Sequence, residues 1–176
     1  EVGTKIVAMI AAREETIIST DEAVYGMTFV GGDFVFSFRL LATDSGAAGL
    51  NTMISIDGDV YWLGKRNFFK YDGIVQELPC PVQYYVFDRM QKNFIEKTTV
   101  GHNKAFKEVT WFYVSNDNTA GTINPEPDAY ATFNYAENAW TVGTLDRTVW
   151  SDSFGARKVP FAIDPYGYLY EHETGN

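Results

Sequence analysis

The chain has 176 residues, of which 45% are hydrophobic and 21% charged, so it can bury a core and does not have the composition of a disordered or collagen-like protein. Acidic residues outnumber basic ones by 23 to 14, and the net charge of -9 opposes general attraction to nucleic acid or anionic lipid. Cys80 is the only cysteine, which excludes an intrachain disulfide. No apolar run approaches the roughly 18 residues that a membrane helix needs.

Short apolar runs between turn residues predict strands through the first half of the chain. The runs cover residues 4–11, 16–19, 24–29, 33–41, 53–56, 59–63 and 68–71. Phe34, Phe36 and Phe38 alternate along the fourth run, so we expect them to share one face and that face to be buried. The segment 43–52 is the most loop-like, and we interpret it as a flexible connection or an interface loop.

The second half begins with the only helix-like spacing of apolar residues. Residues 82–91 follow Pro79 and Pro81, and we expect a short helix there. Strand-like runs then resume at residues 108–115, 129–135, 139–143, 148–150 and 160–170. The loop at 116–128 is long and polar, which predicts exposure.

Three aromatic phrases form a weak internal repeat. They are VYWLGKRNFFKYDG, YATFNYAENAW and YLYEHETG, with Tyr71, Tyr135 and His172 as rough equivalents. Aromatic residues make up 16% of the chain, which favours β-sheets with large aromatic cores. We therefore predict an all-β fold of antiparallel meanders forming propeller-like blades, with an open β-sandwich as the alternative. We expect a single β-rich domain over residues 1–176, or a fragment of a longer propeller-containing chain.

Candidate chemistry is sparse. His102 and His172 have no partner at metal-ligand spacing, and Cys80 lies between two prolines, which is typical of a packed bend. The carboxylates that could form a catalytic pair are Asp57, Asp59, Asp72, Asp88, Asp146 and Asp152. Asp57 and Asp72 precede glycines, which favours a role in turns. We expect no catalytic, cofactor-binding or metal-binding residues and therefore no enzyme.

The segments GDVYWLGKRNFFKYDGIVQELPCPVQYYVFD, EVTWFYVS, NYAENAWTVGTLDRTVW and GYLYEHETG resemble those of tailed-bacteriophage virion proteins, including the propeller-bearing tail hub or nozzle proteins of short-tailed phages. The resemblance covers roughly residues 24–175 and rests on the order of aromatic strand phrases. It implies a structural subunit that forms a ring below the portal and adaptor, around the DNA exit channel. The implied partners are identical subunits, other tail or portal-adaptor proteins, and DNA that passes without specific binding. The implied location is the virion tail, assembled in the host cytoplasm.

Two polar loops supply the expected interface residues. These are Asp44, Asn51, Asn116, Asp117, Asn118 and Asn124. Two other functions stay open, a carbohydrate-binding or receptor-binding module and a propeller glycosidase. An exposed tryptophan cluster would favour the first of these, but we expect Trp62, Trp111, Trp140 and Trp150 to anchor the core.

Overall fold

The structure, a computed structural model, describes residues 3–119 and 125–175. Strands account for 47% of the chain and helices for 10%, and the strands form four antiparallel sheets. Within each sheet, strands that follow one another in sequence are hydrogen-bonded neighbours. The prediction of an all-β chain of antiparallel meanders is confirmed, and this strand order fits both propeller-like blades and an open sandwich.

The chain divides into two compact units, Glu1–Cys80 and Pro81–Asn176. This division describes packing, and the expectation of one folding domain stays a prediction. Each unit contains two of the four sheets, which we number in chain order.

The first unit holds two four-stranded sheets. The first sheet consists of β1 (Ile6–Ala11), β2 (Thr16–Thr20), β3 (Ala23–Phe29) and β4 (Phe36–Thr43). The second sheet consists of β5 (Met53–Ile56), β6 (Asp59–Leu63), β7 (Phe68–Tyr71) and β8 (Val75–Glu77). Asp57 and Gly58 have φ values of 52° and 92°, the pair of left-handed residues that a two-residue hairpin turn requires.

The core of the first unit lies between its two sheets. Ile17 and Val24 on the first sheet are fully buried and belong to one cluster with Val60 and Trp62 on the second. β1 lies beside β5, so the first strands of the two sheets are neighbours. Inner strands of adjacent propeller blades meet in the same way.

The segment between β4 and β5 is tightly packed at its centre. Ser45 and Ala47 are buried, and the Ala47 amide donates to Ser19 Oγ at 2.6 Å. A Cβ atom on Gly46 would lie only 2.7 Å from the backbone carbon of Asp21, so glycine allows two backbones to meet here. The glycines of this segment therefore serve close packing.

The second unit holds a four-stranded and a three-stranded sheet. The third sheet consists of β9 (Thr99–Asn103), β10 (Glu108–Tyr113), β11 (Ala129–Asn134) and β12 (Ala139–Thr144). The fourth sheet consists of β13 (Val149–Ser151), β14 (Phe161–Ile163) and β15 (Leu169–Glu171). Trp150 joins them, because its ring stacks on Phe112 with centroids 5.6 Å apart and its indole nitrogen donates to the His102 carbonyl at 2.8 Å.

The helices are short. The predicted helix is confirmed as α1 (Gln83–Arg89), and 3-10 turns follow at Lys92–Lys97 and Asn116–Thr119. None of the helices in the described ranges has the length and apolar character needed to cross a bilayer. Two strands were not predicted, β8 and β9, because neither contains a run of strongly β-favouring residues.

The proposed repeat has a structural basis. Tyr71 ends β7, Tyr135 directly follows β11, and His172 directly follows β15. Each of these strands is the third of its sheet, so the three residues are equivalent in position. The prediction that the four tryptophans anchor the core is confirmed for Trp62 and Trp111, which are fully buried. Trp140 and Trp150 are half-buried.

Candidate interaction surfaces

The outer face of the first sheet, turned away from the core of the first unit, is apolar. Met9, Ile18, Tyr25 and Leu40 are cross-strand partners in one row, so their side chains share this face. The neighbouring row ends with Phe38 opposite Met27. Apolar side chains on both faces of an antiparallel sheet are unusual, because one face commonly meets water.

The exposed apolar residues of this face and of the β3–β4 hairpin form one surface, which we call the phenylalanine surface. It comprises Ile6, Met9, Phe29, Val30, Phe34, Val35, Phe36, Phe38 and Leu40. The rings of Phe29 and Phe36 meet edge to face, with centroids 5.9 Å apart. A cleft of about 340 Å³ continues the surface between Ile6 and Phe38.

The expected burial of the phenylalanine row is wrong. Phe34, Phe36 and Phe38 are 81%, 47% and 61% exposed, and Phe34 lies in the hairpin loop before β4 begins. Alternation places side chains on a common face, but it does not specify which element covers that face. Here the opposite face of the first sheet is the one that packs on the second sheet.

Polar contacts secure β4 on its inner side. Arg39 forms an ion pair of 2.7 Å with Glu15, whose side chain is buried, and the Tyr71 hydroxyl donates to the same carboxylate. Burial and the neighbouring Glu15 raise the pKa of Tyr71 to about 12. The edge strand β4 is therefore held by a charge-assisted network on the face opposite the phenylalanine surface.

A second exposed aromatic surface lies on the β14–β15 hairpin. Asp164 Oδ1 accepts hydrogen bonds from the amides of Tyr166 and Tyr168, both at 2.9 Å, and Oδ2 accepts from the Tyr170 hydroxyl at 3.1 Å. The Tyr166 and Tyr168 side chains are 83% and 66% exposed. The guanidinium of Arg147 lies 4.2 Å from the centre of the Tyr170 ring.

The expected interface residues lie in two separate loops. Asp44 and Asn51 are exposed at the two ends of the packed segment between β4 and β5. Asn116 and Asp117 are exposed and Asn118 is half-buried, while Asn124 lies outside the described residues.

The second of these loops is tied to its own unit. Asn116 Nδ2 donates to the Asp88 carbonyl at 2.8 Å, and Asp117 forms an ion pair with Arg89 at the end of α1. The first residues of the loop are therefore anchored, and the expectation that the loop forms an interface stays a prediction.

The candidate catalytic residues have structural partners. Asp59 and Asp72 both bind Lys70 Nζ at 3.0 Å, so a cation lies between this pair of carboxylates. Asp57 occupies the left-handed position of its predicted turn. Cys80 is half-buried and is not part of a disulfide.

Sequence analysis missed a relay of three polar side chains. His102 Nδ1 lies 3.0 Å from Asp152 Oδ2, and His102 Nε2 lies 3.0 Å from the Tyr135 hydroxyl. Asp152 also accepts the amide of Lys104 at 3.1 Å, so it joins the end of β13 to the end of β9. Tyr135 and Asp152 are 33 and 50 positions from His102 in sequence, and no spacing rule connects them to it.

Histidine and carboxylate groups of the described ranges do not form a metal centre: no cluster of three or more His, Cys, Asp and Glu side chains there is placed to hold an ion. The search against known proteins found no family model and no curated protein that matches the chain.

Proposed function

We propose that the chain is a non-catalytic structural subunit of a bacteriophage tail, of the hub or nozzle type, which forms a ring with identical subunits around the DNA exit channel. The proposal places the chain in the virion tail after assembly in the host cytoplasm, next to other tail or portal-adaptor proteins. It rests on the resemblance of the aromatic strand phrases, on the blade-like meanders, and above all on the phenylalanine surface.

The size of the phenylalanine surface supports assembly. A buried aromatic side chain contributes about 150–250 Å², so the four phenylalanines, on average about two-thirds exposed, supply roughly 500 Å². With the aliphatic residues, the surface exceeds the roughly 300–600 Å² of the largest apolar patch on a typical monomer. It approaches the roughly 800 Å² that each partner contributes to a stable interface.

The fourth sheet offers a complementary surface for a second copy. Val149, Ile163 and Leu169 are cross-strand partners in one row, and Val149 and Leu169 are exposed. A ring requires two different surfaces, one at each side of every subunit. We therefore propose that the phenylalanine surface of one copy packs against this row, the leucine row, of the next copy.

The acidic character of the chain agrees with a conduit. The net charge of -9 repels phosphate, and strong phosphate contacts would slow the passage of DNA. In the proposed ring, an acidic channel wall would guide DNA without binding it.

Two variants that place a negative charge on one of these surfaces test the ring directly. We expect the wild-type chain to associate as its concentration rises, and Phe38→Glu and Leu169→Glu each to remain monomeric in light scattering. Both side chains are exposed, so neither change should unfold the chain. A mixture of the two variants retains one intact phenylalanine surface and one intact leucine row, so it should form dimers and stop there.

Tyr84→Glu is the matched control, because Tyr84 is exposed on α1 and belongs to neither surface. It should associate like the wild type. A wild-type chain that stays monomeric at high concentration, and that mass spectrometry does not detect in purified phage particles, would refute the proposal.

A carbohydrate-binding or receptor-binding module is the second candidate function. The observation that favours it is the pair of exposed rings of Tyr166 and Tyr168, held by Asp164, since exposed rings can stack on sugars. A glycan array probed with the wild type and with Tyr166→Ala tests this candidate. The glycosidase alternative is not favoured, because Lys70 bridges Asp59 and Asp72.

A further inference from the structure

A cavity of about 140 Å³ lies between the facing sides of the third and fourth sheets. Phe112, Tyr130 and Trp150 form its aromatic walls, and its polar lining includes Asn103, Glu108 and Glu173. None of these residues has a role in the proposed ring.

The strand register brings the polar groups together. Asn103 on β9 and Glu108 on β10 are directly opposite cross-strand partners, so their side chains leave the same face with Cβ atoms about 5 Å apart. Asn103 Nδ2 donates to Glu173 Oε1 at 3.0 Å, which adds the carboxylate of the segment after β15.

Two acceptors of the cavity lining have no hydrogen-bond donor in the part of the chain that the structure describes. Asn103 is only 3% exposed, and its Oδ1 atom is buried without a partner. Within residues 3–119 and 125–175, no hydrogen bond or ion pair involves the half-buried Glu108 carboxylate. A buried acceptor without a donor destabilises a fold, so an unpaired acceptor that lines a cavity points to a donor supplied from outside the chain.

The electrostatics favour a cation. Burial raises the pKa of Glu108, and the negative charges of Glu173 and Glu137 raise it further. The nearby Arg147 is engaged elsewhere, since it stacks on Tyr170 and donates to His172 Nε2 at 3.1 Å. Thr110 and Thr132 are hydrogen-bonded to each other at 2.8 Å.

We propose that this cavity binds a primary alkylammonium group. An ammonium has three donors and no acceptor, which matches Asn103 Oδ1 and the two glutamates. Its methylene stem would pack against the aromatic walls, where a cation is also attracted to the faces of the rings. The same chemistry is found in small free amines and in the lysine side chain of a partner protein.

Nuclear magnetic resonance of the ¹⁵N-labelled chain tests the site with propylammonium chloride, at an ionic strength held constant with sodium chloride. We expect saturable shifts of the Asn103 side-chain amide and of the Trp150 indole N–H. Glu108→Gln should weaken binding by about tenfold or more, because a charge-assisted contact becomes a neutral one. Without propylammonium, the Glu108→Gln chain should unfold at a higher temperature than the wild type, because the unpaired charge of the Glu108 carboxylate is removed.

Glu171→Gln is the matched control, because Glu171 is exposed on β15 and does not line the cavity. It should bind propylammonium as the wild type does. Nα-acetyl-lysine methylamide is the second probe: preference for propylammonium assigns the site to small amines, and preference for the lysine derivative assigns it to a partner's side chain. Lack of saturation with both probes, unchanged binding by Glu108→Gln, or displacement of the probe by calcium chloride would each overturn the proposal.

Discussion

The indole nitrogen of Trp62 donates a hydrogen bond of 2.7 Å to the backbone carbonyl of Ser45. Trp62 is fully buried, so this bond ties the segment between the first two sheets to the core. Trp62→Phe removes the donor and part of the ring, and we expect the free energy of unfolding to fall by about 2–3 kcal/mol. Urea unfolding followed by circular dichroism measures this loss.

Tyr84→Phe controls for the loss of an aromatic polar atom, because Tyr84 is exposed. We expect it to change the free energy of unfolding by less than about 0.5 kcal/mol. If Trp62→Phe lowered the free energy of unfolding by no more than Tyr84→Phe does, Trp62 would not anchor the segment between the first two sheets.

Gly101 is required by the contact between the third and fourth sheets. A Cβ atom at this position would lie 2.5 Å from Trp150 Cγ, well inside van der Waals contact. Gly101→Ala should therefore lower the free energy of unfolding by about 1–3 kcal/mol, because the ring must shift. A Cβ atom at Gly175 meets no atom within 4 Å, so Gly175→Ala should be neutral. Thermal unfolding of both variants measures the difference. Equal stability of the two variants would show that Trp150 moves freely.

His172 makes the stability of the second unit depend on pH. Burial lowers the pKa of His172, and the positive charge of Arg147 lowers it further. The folded chain therefore favours the neutral ring, while the unfolded chain takes up a proton near pH 6.5. The resulting stability is fully present above about pH 6.5 and is lost as the pH falls toward the folded pKa.

His172→Gln removes this dependence. Between about pH 7.5 and about pH 5.5, the wild type should lose more free energy of unfolding than the variant. Urea unfolding at a series of pH values gives the difference between the two chains, in which other titrating groups cancel. The assignment of the pH dependence to His172 would be contradicted if the difference in free energy of unfolding between the two chains did not change with pH. It would also be contradicted if the wild type gained stability relative to His172→Gln as the pH fell.

Lys70 holds two carboxylates together on the second sheet. Burial acts against its charge, but hydrogen bonds to Asp59 and Asp72 outweigh that effect and raise the pKa of Lys70. Lys70→Met should lower the free energy of unfolding by about 1–2 kcal/mol, between the values for exposed and buried pairs, because the side chain is 24% exposed.

In the Lys70→Met background, Asp59→Asn removes the repulsion between the Asp59 and Asp72 carboxylates. The second change should therefore restore part of the free energy of unfolding that Lys70→Met loses. A double-mutant cycle by urea unfolding measures the coupling. Coupling close to zero would mean that water already screens the two carboxylates.

The second sheet shows how well local patterns predict structure. Its first three strands begin and end at the predicted residues, because Asp57-Gly58 defines a turn and the flanking runs are rich in β-branched and aromatic residues. Polar strands such as β9 lack this composition, and their pairing with β10 supplies the stability that their sequence does not indicate.

The sequence by itself determined most of the strands, the two hairpin residues with positive φ and the shared face of Phe36 and Phe38, because turns and alternation depend on residues close together in the chain. Only the tertiary structure decided which faces are covered. It exposed the phenylalanine surface, joined His102 to Asp152, and closed a cavity around Asn103 and Glu108. These relationships depend on how sheets pack on one another, and contacts between distant segments leave no periodic signal in one sequence.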